Sequence, residues 1–563
     1  MSFSNPTGHH NLFRRIWWRL LAMPNSLGKL NDLHLIDEDT FAHLLLAWSR
    51  SCWADYDRWL VKHALNSLPE WHRQRVEASS WRNRPSISLL TPVFNTDPVQ
   101  LAECIDSVRY QTYPDWELCL VDDGSTRPDT LAAMEQLGRK DRRIRIERQP
   151  GNSGICAATN AALSMARGAY IAFLDHDDRL TPDALFHIAA TLRQDPDTDI
   201  VYSDKDMVSE QGQRFMHLFK PDWSPETLLS GNYLFHVMVY RRSLLERLGG
   251  LDARYEGSQD YDLILRASDH GRTNVKHIPR VLYSWRQHVR SVSLNTDDKD
   301  YAFSSGLRAL TDTLTRRGLD GMVEEIPHLW RGNYRIRLRP PAALRAKVFR
   351  LPEEISCDGY GKHVSSLIAS TTEEILILLG KDLDPDDDAI EELLSWFAIE
   401  EIGMVTGKVI DCDGRIQHAG LVQRPQGQPL SLFQGFPESE PGYMAVTSIA
   451  RNVSMPHPYC VAIRRKFLQS LGGLSEDYDG PQALQDLALR GLIAGHRYIY
   501  NPFSRFRNGT IWADNEIWPE IDRQRFVSKW HSHLLAGDPY YNPHLSLDHL
   551  DMRLALSHPE ALE

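Results

Sequence analysis

Five apolar residues, Tyr170-Ile171-Ala172-Phe173-Leu174, run directly into Asp175-His176-Asp177-Asp178. A run of this length and bounding predicts a strand buried on both faces, as in a parallel sheet covered by helices. In open α/β sheets the carboxyl ends of such strands face the crevice where ligands bind. Three carboxylates gathered there repel one another and lose hydration, so their natural partner is a divalent cation or a set of hydroxyl donors. Acids ahead of a helix also serve its dipole, and Thr181-Pro182-Asp183 reads as a helix start with Thr181 as N-cap. A calcium loop of the EF-hand kind is excluded. Leu180 stands where the sharp-turn glycine belongs, and Phe186 where the bidentate glutamate belongs.

From Arg84-Pro85 onward, apolar runs alternate with helical stretches. Ile87-Ser88-Leu89-Leu90 leads into Thr91-Pro92-Val93-Phe94-Asn95, and a helix is expected over 99–111. Trp116–Val121 reads as a second strand ending at Asp122-Asp123-Gly124-Ser125. After another helix comes Ile144-Arg145-Ile146, and a turn at Gly151-Asn152-Ser153-Gly154 opens the helix that leads to the strand before Asp175. This βαβαβα order predicts a parallel sheet with a nucleotide-sized crevice. Neither a G-x-G-x-x-G fingerprint nor a phosphate loop follows any strand. Acidic strand ends instead favour a base and ribose gripped by carboxylates and a diphosphate handled through a metal, which suits a nucleotide-sugar.

Residues 85–293 resemble the inverting family-2 glycosyltransferases of the GT-A fold, in particular the rhamnosyltransferase-like enzymes of bacterial surface-polysaccharide and O-antigen synthesis. Eight pieces carry the resemblance in order: Thr91–Asn95, Asp122–Ser125, Asn152-x-Gly154 with Asn160, Asp175–Asp178, Tyr202–Asp206, Phe219–Trp223, Gly257–Asp262 and Tyr283–His288. The resemblance implies a GT-A domain with a Rossmann-like, mostly parallel sheet. It assigns Asp175 to the ribose or metal shell, Asp177 to direct coordination of Mn²⁺ or Mg²⁺, and His288 to the completion of the metal or diphosphate site, with Arg286 adding positive charge. A structural hydrogen bond is the alternative for His288. Asp260, in a glycine-flanked turn before Leu263-Ile264-Leu265, is the expected general base, and one base without a nucleophile implies inversion. Gln259 stands where relatives often carry glutamate. Asp122 and Asp123 would read the base and ribose, with Pro92, Asn95, Asn152, Gly154 and Asn160 shaping that side, although Asp-Asp-Gly is also a plain turn. Asp204, Asp206, Asp222, Trp223 and Gln259 are acceptor-side expectations.

The remaining chain echoes the first domain. Arg241–Leu251 recurs as Arg464–Leu474, and Ile171–Leu185 lies without gaps on Leu376–Ile390. In that register Asp175 becomes Gly380, His176 becomes Lys381, Asp177 becomes Asp382 and Asp178 becomes Leu383. Asp260 falls on Leu484, or on Ala483 without a one-residue shift. Residues 331–540 are therefore expected to form a degenerate GT-A-like domain without transferase chemistry, holding glycan or a partner. Asp413–His418 reads as a hairpin with a structural His418.

A chain of 563 residues is too long for one core. The expected division is a helical extension at 1–84, the GT-A domain at 85–330, the degenerate domain at 331–540 and a tail at 541–563. A net charge of −12 argues against nucleic acid as partner. The seven cysteines, odd in number and without C-x-x-C pairing, fit a reducing cytoplasm. No run of 18 apolar residues occurs, and the start lacks a signal-peptide pattern. Residues 1–31 carry Arg14, Arg15, Arg19 and Lys29 and place Leu12, Phe13, Ile16, Trp17, Leu20 and Leu21 on one helical face. Such a segment would lie either on an anionic bilayer surface or against the rest of the protein. The expected partners are a nucleotide diphosphate sugar and a lipid-linked or oligosaccharide acceptor, at the inner face of the cell membrane. The rival reading is a non-catalytic glycan-binding or scaffold protein.

Overall fold

The computed structural model describes residues 55–64, 68–209, 212–269, 273–287, 300–351, 359–509 and 519–556. Segment 1–31 and His288 lie outside the described residues. Two compact units emerge. One holds the described residues 55–223 and 232–317 together with Leu556; the other holds 224–231 and 318–555. The division thus falls at Gly318, and Ser224–Gly231 packs with the second unit although its sequence lies inside the first.

In the first unit nine strands form one sheet: β1 Ile87–Val93, β2 Trp116–Asp122, β3 Ile144–Arg148, β4 Tyr170–Phe173, β5 Arg179–Leu180, β6 Ile200–Val208, β7 Arg214–Leu218, β8 Met238–Arg241 and β9 Val275–Arg286. Their order is β3-β2-β1-β4-β8-β6-β9-β5, with β7 on β6. The β1–β4 part is parallel, as the alternation of strands and helices requires. Beyond it the sheet is mixed, because β8 inserts between β4 and β6 and runs against both. The mostly parallel expectation holds for the long pairings, since β1–β2, β1–β4, β2–β3 and β6–β9 are parallel, while the shorter β4–β8, β6–β8, β5–β9 and β6–β7 pairings are antiparallel. Every residue of β1 is buried, and Leu89, Leu118, Leu120, Ala172 and Val239 share one core with Leu101, Ile105, Leu185 and Ile188 from the covering helices. The helix after the acidic turn starts at Ala184, with Asp183 preceding it, so Thr181 is not its N-cap. Thr181 instead donates its hydroxyl to the Asp183 carboxylate.

The second unit contains a β10–β11 hairpin (Gly321–Glu325, Tyr334–Leu338) and then β12 Ala346–Leu351, β13 Ile375–Gly380, β14 Leu383–Pro385, β15 Ile402–Ile410, β16 Ile416–His418, β17 Leu421–Val422, β18 Leu430–Ser431, β19 Arg451–Asn452, β20 Cys460–Arg464 and β21 Arg497–Asn508. Its main sheet has the order β12-β13-β20-β15-β21-β14. The β15–β16 hairpin turns through Asp413-Gly414, where Gly414 takes φ +73°, a value that favours glycine. His418 is buried within it, its Nε2 3.3 Å from the Thr406 hydroxyl, as a structural residue would be.

Candidate active site

Two strand ends define the site. β4 pairs with β1 only as far as Phe173 opposite Leu90, and the Leu174 N–H closes the last bond to Leu90. Beyond that point the chains part, at the place where strand order reverses and a crevice opens. Asp175 stands at its edge. The side chain is surrounded by protein yet retains 39% of its exposure, the combination expected of a group facing a cleft.

Ligand atoms of Asp175, Asp178 and His236 lie within 4.8 Å of one another. Among the described residues this is the one group of three His, Cys, Asp or Glu side chains able to hold an ion. His236 Nε2 is 3.7 Å from Asp175 Oδ2. The imidazole stacks on Tyr283 at 4.8 Å, and burial holds its pKa well below the usual value, leaving the neutral, ligating form. Burial, aided by the charges of Asp177 and Asp260, pushes the Asp175 carboxyl up to about 7. Burial and the same kind of crowding raise Asp178 as well. A cation would relieve both. The donor set, two carboxylates and an imidazole, fits a hard or borderline divalent ion such as Mn²⁺.

Asp178 is held by its surroundings. It accepts from the Tyr283 hydroxyl at 2.5 Å and from the Arg286 N–H at 2.7 Å. Arg286 is only 3% exposed, and its guanidinium is committed to the Asp177 carbonyl and the Glu103 carboxylate. The assignment of Arg286 to the diphosphate is thus corrected. It is a buttress that fixes the acidic turn from behind. Asp177, expected as the direct ligand, lies on the same turn beside His176 but outside the convergent set.

Asp260 occupies the first turn of the helix Gln259–Ser268, where backbone N–H groups favour a carboxylate. Asn232 Nδ2 donates to its Oδ2 at 3.0 Å, and burial raises its pKa. The same field joins Asp260 to the Asp175 cluster, since each acts on the Lys205 ammonium. Lys205, 1% exposed, lies 4.0 Å from the ring centroid of Phe235 and 4.4 Å from that of Trp285. Burial pushes it down to about 7 against the pull of Asp178, Asp175, Asp260 and Asp206. The base candidate and the metal candidate thus both act on one buried lysine.

On the β1–β2 side, Asp122 accepts from Ser125 N–H and lies 3.1 Å from Arg148. Asp123 clamps the glycine-rich turn by accepting from Ser153 N–H at 2.8 Å and Gly154 N–H at 3.0 Å, which leaves each oxygen a lone pair for a further donor. Asn95 Oδ1 gathers Thr126 and Arg127 N–H groups, Pro92 is buried within β1, and Asn152 is exposed. Gly124 at φ +71° could not carry a side chain, because a Cβ there would meet the Gly151 and Asn152 backbone within 2.7 Å. Asn160 is corrected to a structural pin, its amide making both bonds to the Leu251 backbone at 2.8 and 2.9 Å.

Two acceptor-side expectations are also corrected. Asp204 and Asp206 are fully buried. Asp204 accepts from Lys220 N–H and lies 3.0 Å from His277 Nε2, while Asp206 accepts from the Tyr56 hydroxyl and Arg214. Asp222 keeps 58% of its side-chain exposure and pairs with His277 Nδ1; Trp223 is half-buried. Gln259 Oε1 accepts from Gly257 N–H and so caps the turn before the base. Sequence reasoning missed His236 and Asn232 as site residues, and it held Lys205 and Tyr283 only within the Tyr202–Asp206 and Tyr283–His288 motifs, without a role of their own. Position just ahead of a strand that inserts beside β4 was the only signal for His236, and strand order is not visible in a sequence.

The family model for "Glycosyl transferase family 2" matches residues 88–249, which contain β1 from Ser88 on, the acidic turn and β8. The putative glycosyltransferase EpsH of Bacillus subtilis is 31% identical over 241 residues, covering 41% of this chain and 68% of that protein. The chain belongs to glycosyl transferase family 2. The O-antigen biosynthesis protein RfbC of Myxococcus xanthus is 30% identical over 541 residues, or 85% of this chain. The chain spans 59% and 41% of the length of the two curated relatives that it matches along most of its own. The S. aureus TarS 1–349 structure in complex with UDP is a distant neighbour, 20% identical with a TM-score of 0.33 over 41% of this chain and 65% of that one. Among the described residues, no helix is long and apolar enough to cross a membrane.

Proposed function

We propose that this chain is a metal-dependent, inverting transferase that moves a sugar from a nucleotide diphosphate sugar to a glycan acceptor in bacterial cell-surface polysaccharide synthesis. The observation that carries this reading is the convergence of Asp175, Asp178 and His236 at one strand end, with the Asp260 charge near enough to act on Asp175 and on Lys205. The name of the RfbC relative, an O-antigen biosynthesis protein, supports the polysaccharide setting.

Asp175, Asp178 and His236 would hold Mn²⁺ or Mg²⁺, which when bound supplies Lewis acidity toward the departing diphosphate. Asp122 and Asp123 would receive the base and ribose at the β2 end. Asp260, oriented by Asn232 and the helix start, takes the proton of the acceptor hydroxyl as it attacks the anomeric carbon. One base and one displacement give inversion. Asp222 and Trp223 are the remaining acceptor-side residues, a carboxylate beside an aromatic face that suits a pyranose. Association of residues 1–31 with the inner membrane face would bring the enzyme to a lipid-linked acceptor.

The test is to screen the purified protein against nucleotide-sugars with and without Mn²⁺, first by thermal shift and then by turnover, with product anomers read by NMR. Metal-dependent transfer with inversion is expected. Glycan binding without donor turnover would replace this reading with the scaffold alternative.

A further inference from the structure

We propose that Lys220 is a positioning residue that sets His236 in its metal-facing place, so that the affinity of the site for a divalent ion depends on a lysine acting through the backbone. This inference rests on the metal reading above. Lys220 is fully buried, and four carbonyls share the N–H groups of its Nζ: Ser203 at 2.5 Å, Leu234 at 3.0 Å, Phe235 at 2.9 Å and His236 at 2.9 Å. Three of these are successive residues. Carbonyl dipoles of consecutive residues turned toward one point repel, and His236 itself sits at φ +51°, a costly conformation for a residue with a Cβ. An amine donor at their focus is what offsets both costs, and the same burial pushes the Lys220 pKa well below the usual lysine value.

The lysine is itself held. Its backbone N–H donates to Asp204 Oδ1 at 2.8 Å, and His277 Nε2 lies 3.0 Å from the same oxygen. From that anchor the side chain reaches the segment before β8 and fixes where the imidazole leaves the backbone. His236 then stacks on Tyr283 and presents Nε2 to Asp175. In metal sites, groups that orient a ligand matter nearly as much as the ligand.

The second unit argues that the clamp serves the site rather than the fold. Lys205 pairs with Leu218 as Val409 pairs with His418, which puts Gly420 where Lys220 stands. The strand that corresponds to β8 is β20, and there Tyr459 takes the place of His236. The same strand order forms with no lysine at this point. A Cβ on Gly420 would lie 2.1 Å from Arg451 Nη2, so another side chain has filled the space. Lysine clamp and site histidine are lost together.

The test compares Mn²⁺ binding, by calorimetry and by the electron paramagnetic resonance of bound Mn²⁺, in wild type, Lys220→Met, His236→Ala and the double variant. Wild type must bind; failure to do so overturns the metal reading and this proposal with it. Lys220→Met is expected to weaken binding on the order of 10–100-fold. It should add little once His236 is alanine, because the lysine acts through that residue. If His236→Ala weakens binding but Lys220→Met does not, the metal reading stands and the clamp is overturned. Full additivity in the double variant also overturns it. Should Lys220→Met not fold, Lys220→Gln, which keeps N–H donors without the charge, is put through the same comparison.

Discussion

The two sheets of this protein are one design with two outcomes. β1-β4-β8-β6-β9-β5 and β12-β13-β20-β15-β21-β14 share their order, the sense of every pairing and a register shift at the same place, between Ser203 and Asp204 in one and between Gly407 and Lys408 in the other. Shared side-chain devices confirm the match. Arg266 pairs with Asp262 and reaches the Leu248 and Gly250 carbonyls; Arg490 pairs with Asp486 and reaches those of Leu471 and Gly473. That correspondence puts Leu484, not Ala483, at the place of Asp260.

The differences lie at the strand ends. Asp175, Asp178, Lys205, His236, Tyr283 and Asp260 answer to Gly380, Leu383, Val409, Tyr459, Phe506 and Leu484. Leu383, Val409, Phe506 and Leu484 are fully buried. Among the described residues the second sheet has no counterpart of β2 and β3, the strands that carry Asp122 and Asp123. A buried charge is costly unless it is paired or ligated, and the apolar groups at the same positions of the second half remove that cost. Topology survives such exchange because apolar pairing and backbone bonds hold it, whereas a site survives only if every member stays.

The sharpest break of the comparison is Asp260→Asn, expected to lower kcat by about 10³-fold with the fold intact. Retained turnover by a discontinuous donor-consumption assay would remove Asp260 as base. Next, His236→Ala should weaken Mn²⁺ binding by about 10²-fold, while Tyr459→Ala at the equivalent place leaves it unchanged in the same calorimetric titration. A smaller effect concerns pH. Asp175 binds its proton more tightly folded than unfolded, so without metal its contribution to stability is fully present below its unfolded pKa near 4 and is lost as pH rises through about 7. The rise in Tm produced by Mn²⁺ should therefore grow between pH 5 and 8, and Asp175→Asn should flatten that slope. A Mn²⁺ effect independent of pH would separate Asp175 from the ion. Smallest of all, Asp382→Asn should change turnover less than about 2-fold. A loss comparable to that at Asp260 would make the second half a working site.

Much of this was legible in the sequence because it rests on local pattern. The apolar run before Asp175, the strand ends at Asp122 and Asp123, the helix start at Asp260 and the echo of Arg241–Leu251 in Arg464–Leu474 all follow from periodicity and turn chemistry, and each lies where the pattern put it. The same local reading misassigned Arg286, Asn160, Asp204 and Asp206, since a charged residue near a strand end looks alike whether it faces a cleft or braces one. Only the tertiary structure decided which carboxylates are spent internally and which face the crevice. It alone brought His236 from ahead of β8 to Asp175, and Lys220 beneath it, because an inserted antiparallel strand joins residues some sixty apart that no sequence period connects.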